Sequence, residues 1–283
     1  MSWMNGAKCV VMLTFDFDAE SLWLSRDPTN WDRPGVLSQG TYGALVGVPR
    51  ILELLQEEAL PATFFVPGWV AEFHQDKVEA IVAAGHEIGH HGYLHEWVDP
   101  SEPEREREAI EKGLDALKRT VGIVPKGYRS PAGETGYHVA ELLKEKGFLY
   151  DSSMLDGIFP YRMTLRGGLP GVVELPWSWS LDDAPYALFS IKNPRPIFTN
   201  DHVLKVWTDE FDAIYRWGGL FNLVMHPQVI GRPSRLDLLR AFVNYARRFP
   251  DVYFAQGVDV ANWFVAHEPP FVARKIPVRP ANT

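Results

Sequence analysis

An α/β fold, built as a single distorted (β/α) barrel with about seven parallel strands, is what this sequence predicts, and three observations carry the prediction. Short β-rich runs alternate with segments of helical period along the whole chain, the strand-then-helix order keeps repeating, and no linker or internal repeat divides the 283 residues. A hydrophobic content of 46% over that length is enough for one large core. Residues 9–15 read as the first strand. Val48, Ile51, Leu52 and Leu55 then recur at helical spacing, and Pro61 ends that element before a strand at 62–66. Val78, Ile81 and Val82 form the next helical stripe, Gly85 stands at its stop, and 87–89 enter a short strand. Ser101 followed by Glu104 is a capping-box pattern, with Ile110, Leu114, Leu117 and Val121 behind it. A helix near 135–146, a strand at 172–175, a helix through Leu204, Trp207, Phe211 and Ile214, and a strand at 220–225 follow. Helices at 234–248 and 258–266 bracket a last strand at 252–254. Residues 27–41 and 181–199, rich in Pro, Gly, Asp, Asn and Trp, fit no regular element and are expected to form ordered cover over a pocket. The chain is expected to be one catalytic domain over 1–283, with an extended tail from about Glu268 that embraces a neighbouring subunit.

Charge and composition narrow the partners. Twenty-eight basic against 36 acidic residues give a formal charge of -8, which speaks against nucleic acid or an anionic membrane surface. The one cysteine, Cys9, lies in an apolar run, so an internal disulfide and a thiolate metal cluster are both excluded. The segment up to Lys8 has no apolar stretch of signal-peptide length and no apolar run of ~20 residues occurs, so a cytoplasmic protein without membrane insertion is expected.

The chemistry concentrates at predicted strand ends. Asp16 and Asp18 stand two residues apart in extended chain, so both carboxylates share a face; they are either a cation site or a pair of strand-end capping groups. The stretch 85–96 offers two histidine pairs at i, i+4, His86 with His90 and His91 with His95, a spacing that brings two imidazoles to one metal on a helical turn. A pair straddling the 87–89 strand would diverge, whereas Gly92 lets the chain turn between His91 and His95. Asp18, His91 and His95 are therefore the expected ligands of one divalent metal. Two imidazoles and a carboxylate with open positions suit Zn²⁺ in a hydrolytic site, with Co²⁺, Mn²⁺ or Ni²⁺ as substitutes, although the same donors also serve non-haem Fe(II). Hydrolysis needs a base and an acid. Asp16, beside the ligand, is the expected base, and His226 at the end of the 220–225 strand the expected acid. Arg129 is the expected partner of Asp16.

Taken together these segments resemble the polysaccharide deacetylase family, also called carbohydrate esterase family 4. The resemblance rests on Thr14-Phe15-Asp16, the Gly85-to-His95 stretch, Arg129-Ser130-Pro131, Tyr150-Asp151-Ser152-Ser153 and His226, in the family's order. It implies the same roles for Asp16, Asp18, His91, His95, Arg129 and His226, leaves His86 structural, and implies N-deacetylation by a metal-activated water. Two departures stand out: Phe17 separates the two aspartates and Ala19-Glu20 follows them, and Ala132 replaces the sugar-binding tyrosine. Those changes, with the runs 177–183 and 226–233, resemble the branch of allantoinase-like, cyclic-imide-hydrolysing and intracellular peptidoglycan deacetylase-like proteins, which implies a homotetramer. The substrate is then either an N-acetylated sugar or a small amide or cyclic imide. Glu20, Pro131, Trp177, Trp179, Asp182 and Arg232 are expected to meet it, with Trp31 in the pocket wall. An Fe(II) oxygenase and a non-catalytic carbohydrate-binding protein on the same scaffold are the rival readings.

Overall fold

The structure, a computed structural model, describes residues 3–192 and 194–277. Its strands are β1 (Cys9–Asp16), β2 (Thr63–Val66), β3 (Glu87–His90), β4 (Gly127–Tyr128), β5 (Tyr150–Asp151), β6 (Tyr161–Thr164), β7 (Pro170–Glu174), β8 (Leu220–Met225) and β9 (Val252–Phe254). They run in the order β6-β7-β5-β4-β3-β2-β1-β8, and all pairs are parallel except β6 with β7. β1 carries β9 along Cys9–Val11 and β2 along Thr14–Asp16. The ring closes between β7 and β8 without a full ladder. A single bridge joins Asp182 to Val224, and the Asn222 amide donates to Leu175 O and Pro176 O at 3.2 and 3.4 Å. The result is a distorted β/α barrel.

Period-two alternation explains β1. Cys9, Val11, Leu13 and Phe15 face the helical layer with Ile51, Leu55, Phe211 and Phe242. Val10 and Met12 turn inward to Phe65, Tyr150 and Val173. Thr14 and Asp16 continue the inward face, so β1 turns polar toward the barrel interior at its C-terminal end, where β/α barrels place their chemistry. Cys9 is buried, and burial pushes its thiol up to about 12, out of reach of redox chemistry.

Several expectations are corrected. The stretch 27–41 is helical, with a short turn at Pro28–Asp32 and a helix Pro34–Tyr42 that runs through a wider turn at Gly43–Gly47 into the helix Val48–Glu57. Its glycines serve close approach: a Cβ on Gly40 would lie 2.3 Å from Ala19 O, and one on Gly47 2.3 Å from Pro227 O. The capping box does not form. The helix Pro103–Val121 starts on its proline, and Ser101 instead donates its N–H and hydroxyl to Asp99 Oδ1. β4, two residues long, and the antiparallel β6 had no forecast, being too short or too mixed in polarity to show a period. In the described part of the tail Glu268 pairs with Arg162, and Arg274 pairs with Asp156 while stacking on Tyr161, contacts that leave the expected neighbouring subunit untested. Pro280 falls outside the described residues.

Candidate metal centre and catalytic pocket

Every candidate catalytic side chain comes from the C-terminal end of a strand. Asp16 ends β1 and Asp18 follows it; His91 follows β3, Arg129 follows β4 and His226 follows β8. One carboxylate oxygen and one ring nitrogen each from Asp18, His91 and His95 lie within 4.8 Å of one another, all buried. His91 Nε2 stands 3.4 Å and His95 Nε2 3.7 Å from Asp18 Oδ1. That separation is near the roughly 3.4 Å edge of a tetrahedron whose zinc–nitrogen distance is ~2.1 Å.

The donor set fits a cation in three further respects. Asp18 Oδ1 is buried without a hydrogen-bond partner, while Oδ2 accepts from Gln228 Nε2 at 3.3 Å. His91 Nδ1 sits 2.7 Å from Arg129 O, so Nδ1–H donates to that carbonyl and the Nε2 lone pair faces Asp18. Burial pulls His95 down to about 4, which leaves it a neutral donor at pH ~7. Burial opposes charge on His91 too, yet Asp16 and Asp18 outweigh it and raise that ring; a divalent cation supplies the same positive charge in place of a proton. Burial likewise opposes charge on Asp18, but the surrounding imidazoles hold it well below the ordinary carboxylate range.

The histidine pair is not on a helical turn, as the i, i+4 spacing had suggested. Gly92 and His95 both take positive φ, 74° and 60°, and the carbonyls of Gly92 and Tyr93 accept from Gly68 N and Trp69 N at the start of the helix Gly68–Phe73. Those carbonyls are thus unavailable for a helix of their own. The strained His95 sits where such backbone tends to be kept, at a site.

Arg129, 1% exposed, anchors the other side. It donates to Asp16 Oδ1 at 2.8 Å, Thr14 Oγ1 at 2.9 Å, Ser152 O and Oγ at 3.0 Å each and Asn222 Oδ1 at 3.4 Å. Asp16 Oδ2 is left toward the cavity, 3.9 Å from His91 Nε2. Beneath this network Asp151 and Glu174 are both fully buried. Each turns one oxygen to the 150–154 backbone or Ser153, and the remaining oxygens have no other partner. Burial raises both carboxyls, Asp151 to about 6, so the pair shares a proton.

His226 lies across the pocket. Its Nδ1 is 2.7 Å from Asp183 Oδ1, its backbone N–H donates to Asp183 Oδ2 at 3.0 Å, and its Nε2 is 3.9 Å from Asp18 Oδ2. Burial works against the imidazolium, but Asp182, Asp183 and Asp18 prevail and raise His226 well above its ordinary value. Asp16, His91, His95, Arg129, Trp177, Trp179, Asp182 and His226 all border one cavity of about 250 Å³.

The other expected substrate contacts lie away from it. Glu20 is buried against His74 Nε2 at 2.7 Å and Thr41 Oγ1 at 2.5 Å, so its carboxylate is committed to holding the β1 loop to neighbouring helices. Pro131 is buried beneath the wall that Ala132 and Gly133 form. Arg232 stacks on Tyr42 at 3.6 Å, and Trp31 packs edge-on to Trp69. Glu20, Pro131, Arg232 and Trp31 thus lie outside the lining of this cavity. Residues that pattern reading passed over include Asp183, Glu174, Asn222, Arg26 and Arg195. Asp183, beside Asp182, and Arg195, within 181–199, lie in stretches already singled out; the other three left no usable trace.

Fold and site define a class: β/α-barrel proteins whose strand ends carry an Asp-His-His candidate metal centre flanked by a carboxylate and a second histidine. Comparison with known proteins narrows the class. The polysaccharide deacetylase family profile matches residues 40–150. The chain is 31% identical to the peptidoglycan deacetylase of Helicobacter pylori over 90% of its own length and 95% of the relative's. A solved Mycobacterium smegmatis structure, described as a polysaccharide deacetylase by assignment, superposes with a TM-score of 0.92 at 40% identity, covering 99% of this chain and 97% of that one. The PuuE allantoinase structure superposes with a TM-score of 0.82 at 26% identity, covering 95% and 94%. The chain belongs to the polysaccharide deacetylase family.

Proposed function

We propose that this chain hydrolyses a non-peptide carbon–nitrogen bond, removing an acyl group from nitrogen with the help of one divalent metal held by Asp18, His91 and His95. The observation that carries the reading is the arrangement around that centre: Asp16 on one side, fixed by Arg129, and His226 on the other, charged by Asp183. A bound divalent ion supplies Lewis acidity toward the acyl carbonyl and lowers the pKa of water. Asp16 Oδ2, the oxygen Arg129 leaves free, takes the proton of the attacking water. His226, its Nδ1–H held by Asp183, donates the Nε2 proton to the leaving nitrogen as the carbon–nitrogen bond breaks. Trp177 and Trp179, packed edge to face at 4.8 Å, form an apolar wall that excludes competing water. The products are a carboxylate and the freed nitrogen, an amine from an N-acetylated sugar or an amide or ureide from a cyclic imide.

Two substrate readings remain, and one feature favours the smaller substrate. The cavity is roofed by Asp182, Ala184, Pro185 and Leu188, and its 250 Å³ is below the roughly 300–1,000 Å³ of drug-sized ligand sites. A single N-acetylated sugar unit or a cyclic imide fits that space better than a polymer chain. The donor set suits Zn²⁺, with Co²⁺, Mn²⁺ and Ni²⁺ as substitutes. A homotetramer and cytoplasmic residence complete the proposal, resting on the resemblance to the allantoinase-like branch; exposed Phe73, Trp217 and Ile191 support association. No helix among the described residues is long and apolar enough to cross a membrane. The test is turnover of N-acetylglucosamine oligomers and monomers against succinimide, hydantoin and allantoin, each with Zn²⁺, Co²⁺ and Mn²⁺. Stoichiometric metal binding with no turnover on any of them would leave the non-catalytic reading in place.

A further inference from the structure

The mouth of the cavity carries positive charge that the reaction leaves unused. Arg26, in the loop after β1, and Arg195, in the segment after β7, both line it, and both reach solvent on their outer side. The Arg26 guanidinium lies 5.3 Å from the Trp97 ring, which borders the same opening. The carboxylate nearest in sequence, Asp27, is committed elsewhere: it accepts from Thr29 and Lys192 and faces Arg33. Its ion pair with Lys192 also ties the loop of Arg26 to the segment of Arg195.

The acids deeper in the cavity are equally committed. Asp16 belongs to Arg129, Asp18 to the imidazoles, and Asp182 and Asp183 to His226. Among the described residues neither Arg26 nor Arg195 has a carboxylate at ion-pair distance, and both border the same cavity. Shelter in the throat lowers the proton affinity of Arg26, Asp18 opposes that, and Arg195 adds to it. Two unpaired guanidiniums at one opening offer an entering anion two charged donors.

We propose that Arg26 and Arg195 form an anion clamp, and that the amide hydrolysed here bears an oxyanion, a carboxylate or a phosphate, on the part that stays at the mouth beside Trp97. This rests on the metal-site reading above and adds the substrate's charge to it. Three hydroxamic acids of matched length test it by calorimetric titration of the zinc-loaded protein: neutral butyrohydroxamic acid, succinic monohydroxamic acid and 3-phosphonopropionohydroxamic acid. At least one anionic probe should bind about 10-fold tighter than the neutral one, with the advantage shrinking as salt rises. The tighter of the two anionic probes names the group. The double variant Arg26→Gln, Arg195→Gln should bring the anionic-to-neutral ratio to about one. Equal binding of all three probes by the native chain, or a ratio that survives in the double variant, overturns the clamp and leaves the metal centre standing. Failure of all three to bind, the neutral one included, overturns the metal reading and the clamp with it.

Discussion

Replacing Asp183 by Asn tests how the pocket makes an acid of His226. The native carboxylate holds His226 at two points, Nδ1 at 2.7 Å and the backbone N–H at 3.0 Å. Asparagine keeps the shape and one acceptor but removes the charge. Asp182, 3.7 Å from Nδ1, and Asp18, 3.9 Å from Nε2, remain to oppose the cost of burying an imidazolium. The proton affinity of His226 therefore falls. A hydrogen bond to a charged group contributes about 1.5–3 kcal/mol to the imidazolium, so above the pH at which the variant's His226 loses its proton the protonated fraction, and kcat with it, drops about 10- to 150-fold at 1.36 kcal/mol per decade. KM should change little, because Asp183 is not among the residues bordering the cavity. The sign of the pH effect follows from the acid being active when protonated. In the native enzyme the raised His226 places the alkaline limb high, and in the variant that limb moves to lower pH. The assay is kcat against pH for two amides of one acyl group, an alkylamide and an activated anilide whose nitrogen needs no proton to leave. The alkylamide should suffer the larger loss. An equal loss on both, or an unmoved alkaline limb, would refute His226 as the acid.

Other variants separate the remaining roles. Asp18→Ala and His95→Ala should remove bound metal and turnover together, whereas Asp16→Asn should keep the metal, read by elemental analysis, and lose roughly 10²–10⁴-fold in kcat. Arg129→Lys strands several buried acceptors that only a planar fork reaches, so a denaturant melt should show a loss of about 3 kcal/mol along with activity. Glu174→Gln replaces the proton shared with Asp151 by a fixed amide hydrogen. Because burial raises these folded carboxyls, the native chain holds a proton that the unfolded chain has released. That contribution is complete below pH ~4 and fades as pH rises through about 6 and beyond. Urea melts should therefore show native stability declining by roughly 1–3 kcal/mol over that window and the variant declining less; parallel curves would argue against the shared proton.

Local chemistry carried much of this molecule in the order of its residues. Alternation of period two puts Val10, Met12, Thr14 and Asp16 on one face of β1 whatever surrounds it, and the strand at 252–254 was legible as a short β-rich run between two helical stretches. Gly92 between two histidines pointed to a turn that could gather them, and the turn exists, although it is braced by the helix at Gly68–Phe73 and not by a helix of its own. Tertiary structure decided what those local signals could not reach. The glycines and prolines of 27–41 read as loop punctuation, but a helix there uses Gly40 to touch the Ala19 backbone, and the wider turn after it uses Gly47 to touch Pro227. Glu20 sits two residues from the candidate ligand Asp18 yet is turned to His74, and Asp183 meets His226 across 43 positions. Dihedral preference and side-chain period act over two to four residues and so leave a trace in sequence; which buried charge finds which partner depends on how β7 and β8 meet at the barrel's seam, and only the closed fold fixes that distance.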